Sequence, residues 1–207
     1  MNTAVYIVSA IVLLTTCTSP SKLISWKDSN SNHKEINKVL IIGIVHDSLL
    51  DVRKEVEAYF SNALKSKGYT TSISTATADY KGLSRLAQEL TYIQLCNEGI
   101  DAVLTVALLN EKKVNKYHDI HAKRFTSAYY YNRLINYRSL RATPKDVSQN
   151  GYPNNALLWE VTLFNLSTLS PVYWAQTKSF PSAIVSQQHA TYSKIIMRHL
   201  SKQKILK

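Results

Sequence analysis

Apolar positions along this chain alternate between two periods. Val39 to Val45 is an unbroken apolar run of strand length, the pattern of a strand covered on both faces. Beyond His46-Asp47-Ser48, where Asp47 or Ser48 is placed to cap a helix, Val52, Val56, Tyr59, Phe60, Ala63 and Leu64 recur on one helical stripe. Gly68 stops that helix. Tyr69 to Thr75 is β-branched and predicts a short strand, and Leu83, Leu86, Ala87, Leu90 and Ile93 predict a second helix ending before Gly99. Ile100 to Leu109 is another buried strand. Residues 157–164 alternate with period two, 165–171 make a turn, and 172–177 return as a hairpin partner. After Pro181, Val185, His189, Tyr192, Ile196, His199 and Leu200 mark a closing helix, where both histidines flank packing surface. Strand–helix–strand alternation makes part of the sheet parallel. The fold class is α/β: a single mixed β-sheet packed by amphipathic helices, with a closing β-hairpin and a C-terminal helix, over residues 38–207.

The first 37 residues read differently. Met1 to Thr16 has no charged side chain, and Val5 to Leu14 is almost wholly apolar yet well short of the roughly 20 residues a spanning helix needs. Residues 1–16 fit a signal peptide. Leu14-Thr15-Thr16-Cys17 resembles a bacterial lipobox, and the resemblance implies that Cys17 becomes the lipid-bearing first residue of the mature chain. Thr18 is not the Asp of a common inner-membrane retention signal, so the expected address is the outer membrane of a bacterial envelope. Residues 17–37 are rich in Ser and Asn and read as a flexible tether, within which Trp26 is expected to dock on the domain. Cys96 is the second of two cysteines and is expected to be a small buried thiol.

Charge changes the picture in one place. The chain carries a formal +11, and residues 111–150 hold nine basic against three acidic residues, nine minus three, or +6 of that total. Lys112, Lys113, Lys116, Lys123 and Arg124 lead into Tyr129, Tyr130 and Tyr131, followed by Arg133 and Arg138. Aromatics among cations suit an anionic partner: an envelope polymer, a lipid head group or an envelope protein. Export disfavours nucleic acid. The plainer reading is a solvated insertion whose tyrosines cover the edge of the sheet.

Catalytic signals are thin. His118 and His121 converge only if they share a helical turn, and sequence places no third ligand, so they make a weak metal site. Asp47 and Glu57 suit capping and surface pairing rather than acid–base work. Phosphate-loop, nucleophile-elbow and dinucleotide glycine patterns do not occur, and the chain has five glycines in all. No catalytic residue and no cofactor is expected.

Trp26-Lys27-Asp28 after Cys17, then Lys38 to Gly43, then Arg53 and Glu57 in R-x-x-x-E spacing, resemble a group of small bacterial envelope lipoproteins of unknown function. The order of elements resembles the α/β fold shared by the amino-terminal domain of TolB and the curli-secretion lipoprotein. In that fold's closing hairpin Asn165, Thr168 and Trp174 match recurring positions, while Leu169 stands where Gly recurs. The resemblance implies a fold and an address with no activity attached. The expected function is a membrane-anchored, non-catalytic binding or assembly module of the envelope. The alternatives are a metal-dependent envelope hydrolase and an oligomeric secretion component.

Overall fold

The computed structural model describes residues 23–29, 35–74, 95–120, 136–147 and 155–206. Seven strands form one mixed sheet: β1 (Ile24–Lys27), β2 (Lys38–Ile44), β3 (Thr70–Ile73), β4 (Ala102–Asn110), β5 (Ala156–Asn165), β6 (Ser170–Gln176) and β7 (Phe180–Pro181). The order is β1-β6-β5-β4-β2-β3, with β7 pairing the start of β5. β2 lies parallel between β3 and β4, and the β4–β5, β5–β6 and β6–β1 pairs are antiparallel. Among the described residues the helices are α1 (Leu50–Lys65), α2 (Glu111–Ile120), α3 (Tyr137–Leu140), α4 (Pro144–Val147) and α5 (Val185–Lys202).

Both faces of the sheet are covered, which is why β2 and β4 read as continuous apolar runs. On one face Val39, Ile41, Leu104, Val106, Trp159 and Val161 pack with Val56, Phe60 and Leu64 of α1 and Ile196, Met197 and Leu200 of α5. On the other, Leu40, Val103, Leu109, Leu158 and Trp174 pack with Leu95, with Val114 and Tyr117 of α2, and with Tyr137 and Leu140 of α3. Trp159 and Trp174 are buried anchors.

The segment read as tether contributes an edge strand. Ile24 pairs Gln176 and Lys27 pairs Tyr173, and Trp26 docks beside Trp174, its register partner. Asp28 N–H continues the ladder to Val172 C=O at 3.0 Å. Leu23 also packs against the core.

Three local expectations are corrected. The first concerns capping. His46, whose Nδ1 accepts Ser48 N–H at 3.2 Å, caps a 3-10 turn at 47–49 that leads into α1, so neither Asp47 nor Ser48 is the cap. A ring nitrogen one step earlier reaches the orphan amide first. The second concerns residues 111–150, which are not a solvated insertion where described. α2 starts directly at the end of β4, because Asn110 Oδ1 accepts Lys113 N–H at 3.2 Å, and its Val114 and Tyr117 are buried. Tyr137 lies on the face of the sheet rather than its edge, with its hydroxyl 2.8 Å from both Glu160 Oε1 and Thr162 Oγ1. The third is Cys96, which is exposed on the last helical turn before Gly99, while Leu95 takes the buried position.

The β5–β6 turn is held by Asn165, whose Oδ1 accepts Ser167 N–H at 2.8 Å and Ser167 Oγ at 2.7 Å. Leu169 sits at φ 50°, the left-handed region, and is 54% exposed. Leu169 thus holds a backbone position that favours glycine.

Candidate functional site

The K-V-L-I-I-G strand and the R-x-x-x-E helix meet in one buried polar knot. Glu57 is fully buried on the face of α1 that covers β2, which corrects its reading as a surface partner. Its Oε1 accepts Gly43 N–H at 2.8 Å, Arg53 Nε at 3.1 Å and Ser74 Oγ at 2.6 Å. Arg53 Nη2 donates to the same Ser74 Oγ at 2.7 Å. A Cβ on residue 43 would lie 2.8 Å from Arg53 Cγ and 3.0 Å from Glu57 Oε1, so glycine is what lets the carboxylate reach the strand. Ser74 beside a carboxylate has the look of a nucleophile with its base, but the hydroxyl is buried and already bonded to both neighbours. The knot joins α1 to the ends of β2 and β3.

A second polar centre organises the basic segment. Asp146 Oδ2 accepts Thr143 N–H at 2.7 Å, Thr143 Oγ1 at 2.8 Å and Lys113 Nζ at 3.3 Å, while its Oδ1 accepts Asn110 Nδ2 at 3.0 Å. Burial pushes its carboxyl up, but the two Thr143 bonds and the Lys113 charge outweigh burial and hold it below the ordinary carboxylate range. Lys113 also donates to Arg141 C=O at 3.1 Å, and Ala142 N–H bonds Leu108 C=O at 2.9 Å. Lys113 thus ties α2 to α4. Lys112 and Lys116, four residues apart on α2, remain exposed.

Two further exposed cations join Lys112 at this end of the sheet. Lys145 projects from α4, and Lys178 follows β6, where its neighbour Ser179 donates to Glu111 beside Lys112. Lys178 carried no sequence signal, because nothing local says that the end of β6 meets the start of α2. Cys17, Lys123, Arg124, Tyr129, Tyr130, Tyr131, Arg133 and His121 lie outside the described residues. His118 and Arg138 lie in α2 and α3, with side chains outside the description. Among the described residues no group of three His, Cys, Asp or Glu could hold a metal ion.

The opposite end of the sheet carries a depression of about 270 Å³, lined by Glu35, Cys96, Asp101, Asn165 and the backbone about them. Asp101 Oδ2 is spent on the N–H groups of Asn37 and Lys38, both at 2.9 Å, which pin the entry of β2. On α5, His199 Nδ1 meets the Tyr173 hydroxyl at 2.7 Å. Burial pushes the Tyr173 phenol far above its usual range, so it stays protonated. Burial first, then nearby Lys202, hold His199 below the usual imidazole value.

No family model matches the chain, and no curated protein matches it. Among solved structures, two crystal forms of the PelC dodecamer from Paraburkholderia phytofirmans, one carrying a single substitution, are each 12% identical to it. Both cover 85% of this chain, and 95% and 94% of their own, at a TM-score of 0.41. The likeness is loose, and no residue role is carried across it. Among the described residues, no helix is long and apolar enough to cross a membrane.

Proposed function

We propose that this chain is a bacterial lipoprotein, anchored through Cys17 to the outer membrane, whose α/β domain is a non-catalytic binding or assembly module of the cell envelope. One observation carries the reading. The first strand, β1, docks into the sheet at Ile24, seven residues after the lipobox-like cysteine, so the anchor leads almost directly into the fold. The partner is anionic or an envelope protein, met by the cations that the fold leaves exposed. Glu57, Asp146 and Asp101 support the non-catalytic side of the reading, since each is bonded into a structural joint.

Intact mass and membrane fractionation of the native protein beside Cys17→Ala test the anchor. The native form is expected to carry a diacylglyceryl group and sediment with membranes, and the variant to leave them. A soluble, unmodified native form sinks the reading. Light scattering of the detergent-solubilised protein separates a single-copy module from an oligomeric secretion component.

A further inference from the structure

The last part of the chain is charged with one sign only. From Val161 to Lys207 the sequence holds six cations and no acid, counted without histidine. Three of the six, Lys194, Arg198 and Lys202, stand in α5 at i, i+4 and i+8, and all three are exposed. That spacing sets them in one row, about 6 Å from each to the next. α5 buries Ile196, Met197 and Leu200 in the core, so the row takes the solvent side of the helix. No carboxylate among the described residues pairs with it, since the ion pairs there engage Arg53, Lys113 and His189. Lys202 suits the carbonyl end of the helix, but Lys194 stands more than two turns before that end, beyond the reach of its partial charge. Like charges at this spacing repel, and an acid four residues away would relieve them, yet α5 has none. The rim where Lys112, Lys145 and Lys178 stand is different, because it also carries exposed Asp47 and Asp51.

We infer that the row of Lys194, Arg198 and Lys202 binds an anionic polysaccharide, a chain of sugars bearing repeated carboxylates. The inference deepens, and rests on, the reading of the domain as a binding module with an anionic partner. A row of cations matches a line of repeated negative charges, which releases its counterions as it settles along the row. The planar guanidinium of Arg198 can hold a carboxylate through two parallel bonds. No large apolar residue of α5 is exposed, whereas a lipid-inserting helix or the centre of a protein interface would present one.

The test uses the full-length protein in non-ionic detergent, titrated with a fluorescently labelled polygalacturonate oligomer and read by anisotropy. Lys194, Arg198 and Lys202 are replaced together by Gln, a residue of similar helix propensity. Binding is expected to weaken about tenfold or more at about 0.1 M salt, and the slope of log affinity against log salt to fall by about 2. Removing the same charge at Lys112, Lys145 and Lys178 is expected to cost no more than about threefold, through the screened general field alone. Equal losses in the two triple variants, or a row variant that binds as the native protein does, overturn the inference. Competition by monomeric galacturonate or by soluble short-chain phosphatidylglycerol as effective as that of the unlabelled oligomer overturns it too, since the row would then serve single acids or lipid head groups. A native protein that does not bind the oligomer fails this inference together with the polymer side of the partner reading, whereas binding that ignores the row fails the inference alone.

Discussion

Glu57 reaches across from α1 to accept the backbone N–H of Gly43 in β2, and the missing Cβ of residue 43 makes room for it. A side chain in the helix thus replaces a contact that strand and helix would otherwise make through apolar packing. The arrangement is rigid because the same oxygen also holds Arg53 and Ser74.

Gly43→Ala should be costly despite its small size. The added methyl meets the stem of Arg53 and a carboxylate oxygen fixed by three donors, an overpacking worth about 1–3 kcal/mol. Glu57→Ala should cost about 3–5 kcal/mol, because it strands a partly buried guanidinium and two other donors. Urea denaturation of both variants reads the effect, and a midpoint for Gly43→Ala equal to the parent's would refute the steric account.

Leu169→Gly should do the opposite. A left-handed backbone costs a branched residue roughly 1–2 kcal/mol, and glycine's extra freedom in the unfolded chain returns part of that. Since Leu169 is exposed, little burial is lost, and a net gain of about 0.5–1 kcal/mol is expected as a higher urea midpoint. Loss of stability would mean that the leucine packs in a way its exposure hides.

His199 gives a pH dependence with a definite sign. Its folded value is depressed, so the unfolded chain takes up the proton first on acidification. The stability tied to the neutral ring is complete above the unfolded value of about 6.5 and is lost as pH falls below it, through the folded value. Thermal melts between neutral pH and mildly acid pH should slope downward toward acid, and His199→Gln should flatten that slope while leaving the Tyr173 hydroxyl a partner.

Asp146 carries the carboxylate counterpart. Its depressed value contributes stability that is present above the ordinary carboxylate range and is lost as pH falls through the folded value. Asp146→Ala should cost about 1–2 kcal/mol by unmaking the α4 cap. It should also free Lys113, and proton-exchange protection of residues 111–117 should fall with it, since Lys113 fastens α2 to α4. Unchanged exchange there would show that α2 is held by Val114 and Tyr117 alone.

The strands and the two long helices were legible because burial on both faces leaves an unmistakable apolar record in Val39–Val45 and Ile100–Leu109. α2 was not legible, for its described inward residues, Val114 and Tyr117, stand in a stretch dominated by lysine. β1 was hidden for a related reason: Ile24-Ser25-Trp26-Lys27 is an edge of four residues, and only its pairing with β6 makes it a strand. Arg53, Glu57 and Gly43 were visible as spacing but not as one joint, because the joint is made by register between a strand and a helix. Within the basic segment, sequence could count the lysines but could not say that Lys113 is consumed internally while Lys178 joins from elsewhere.

The pairing of Ile24 with Gln176 also fixes an order of events during synthesis. These partners stand far apart in sequence, so the strand made first must wait for the strand made nearly last. Such long-range closure is slow compared with local hairpins. Until residue 176 is delivered, β6 has no partner on its outer side and β1 has none at all, leaving unpaired strand edges of the kind that aggregate. The stretch Ile24–Lys27 is thus the keystone laid at the end, and the domain gains this edge only when most of the chain has arrived.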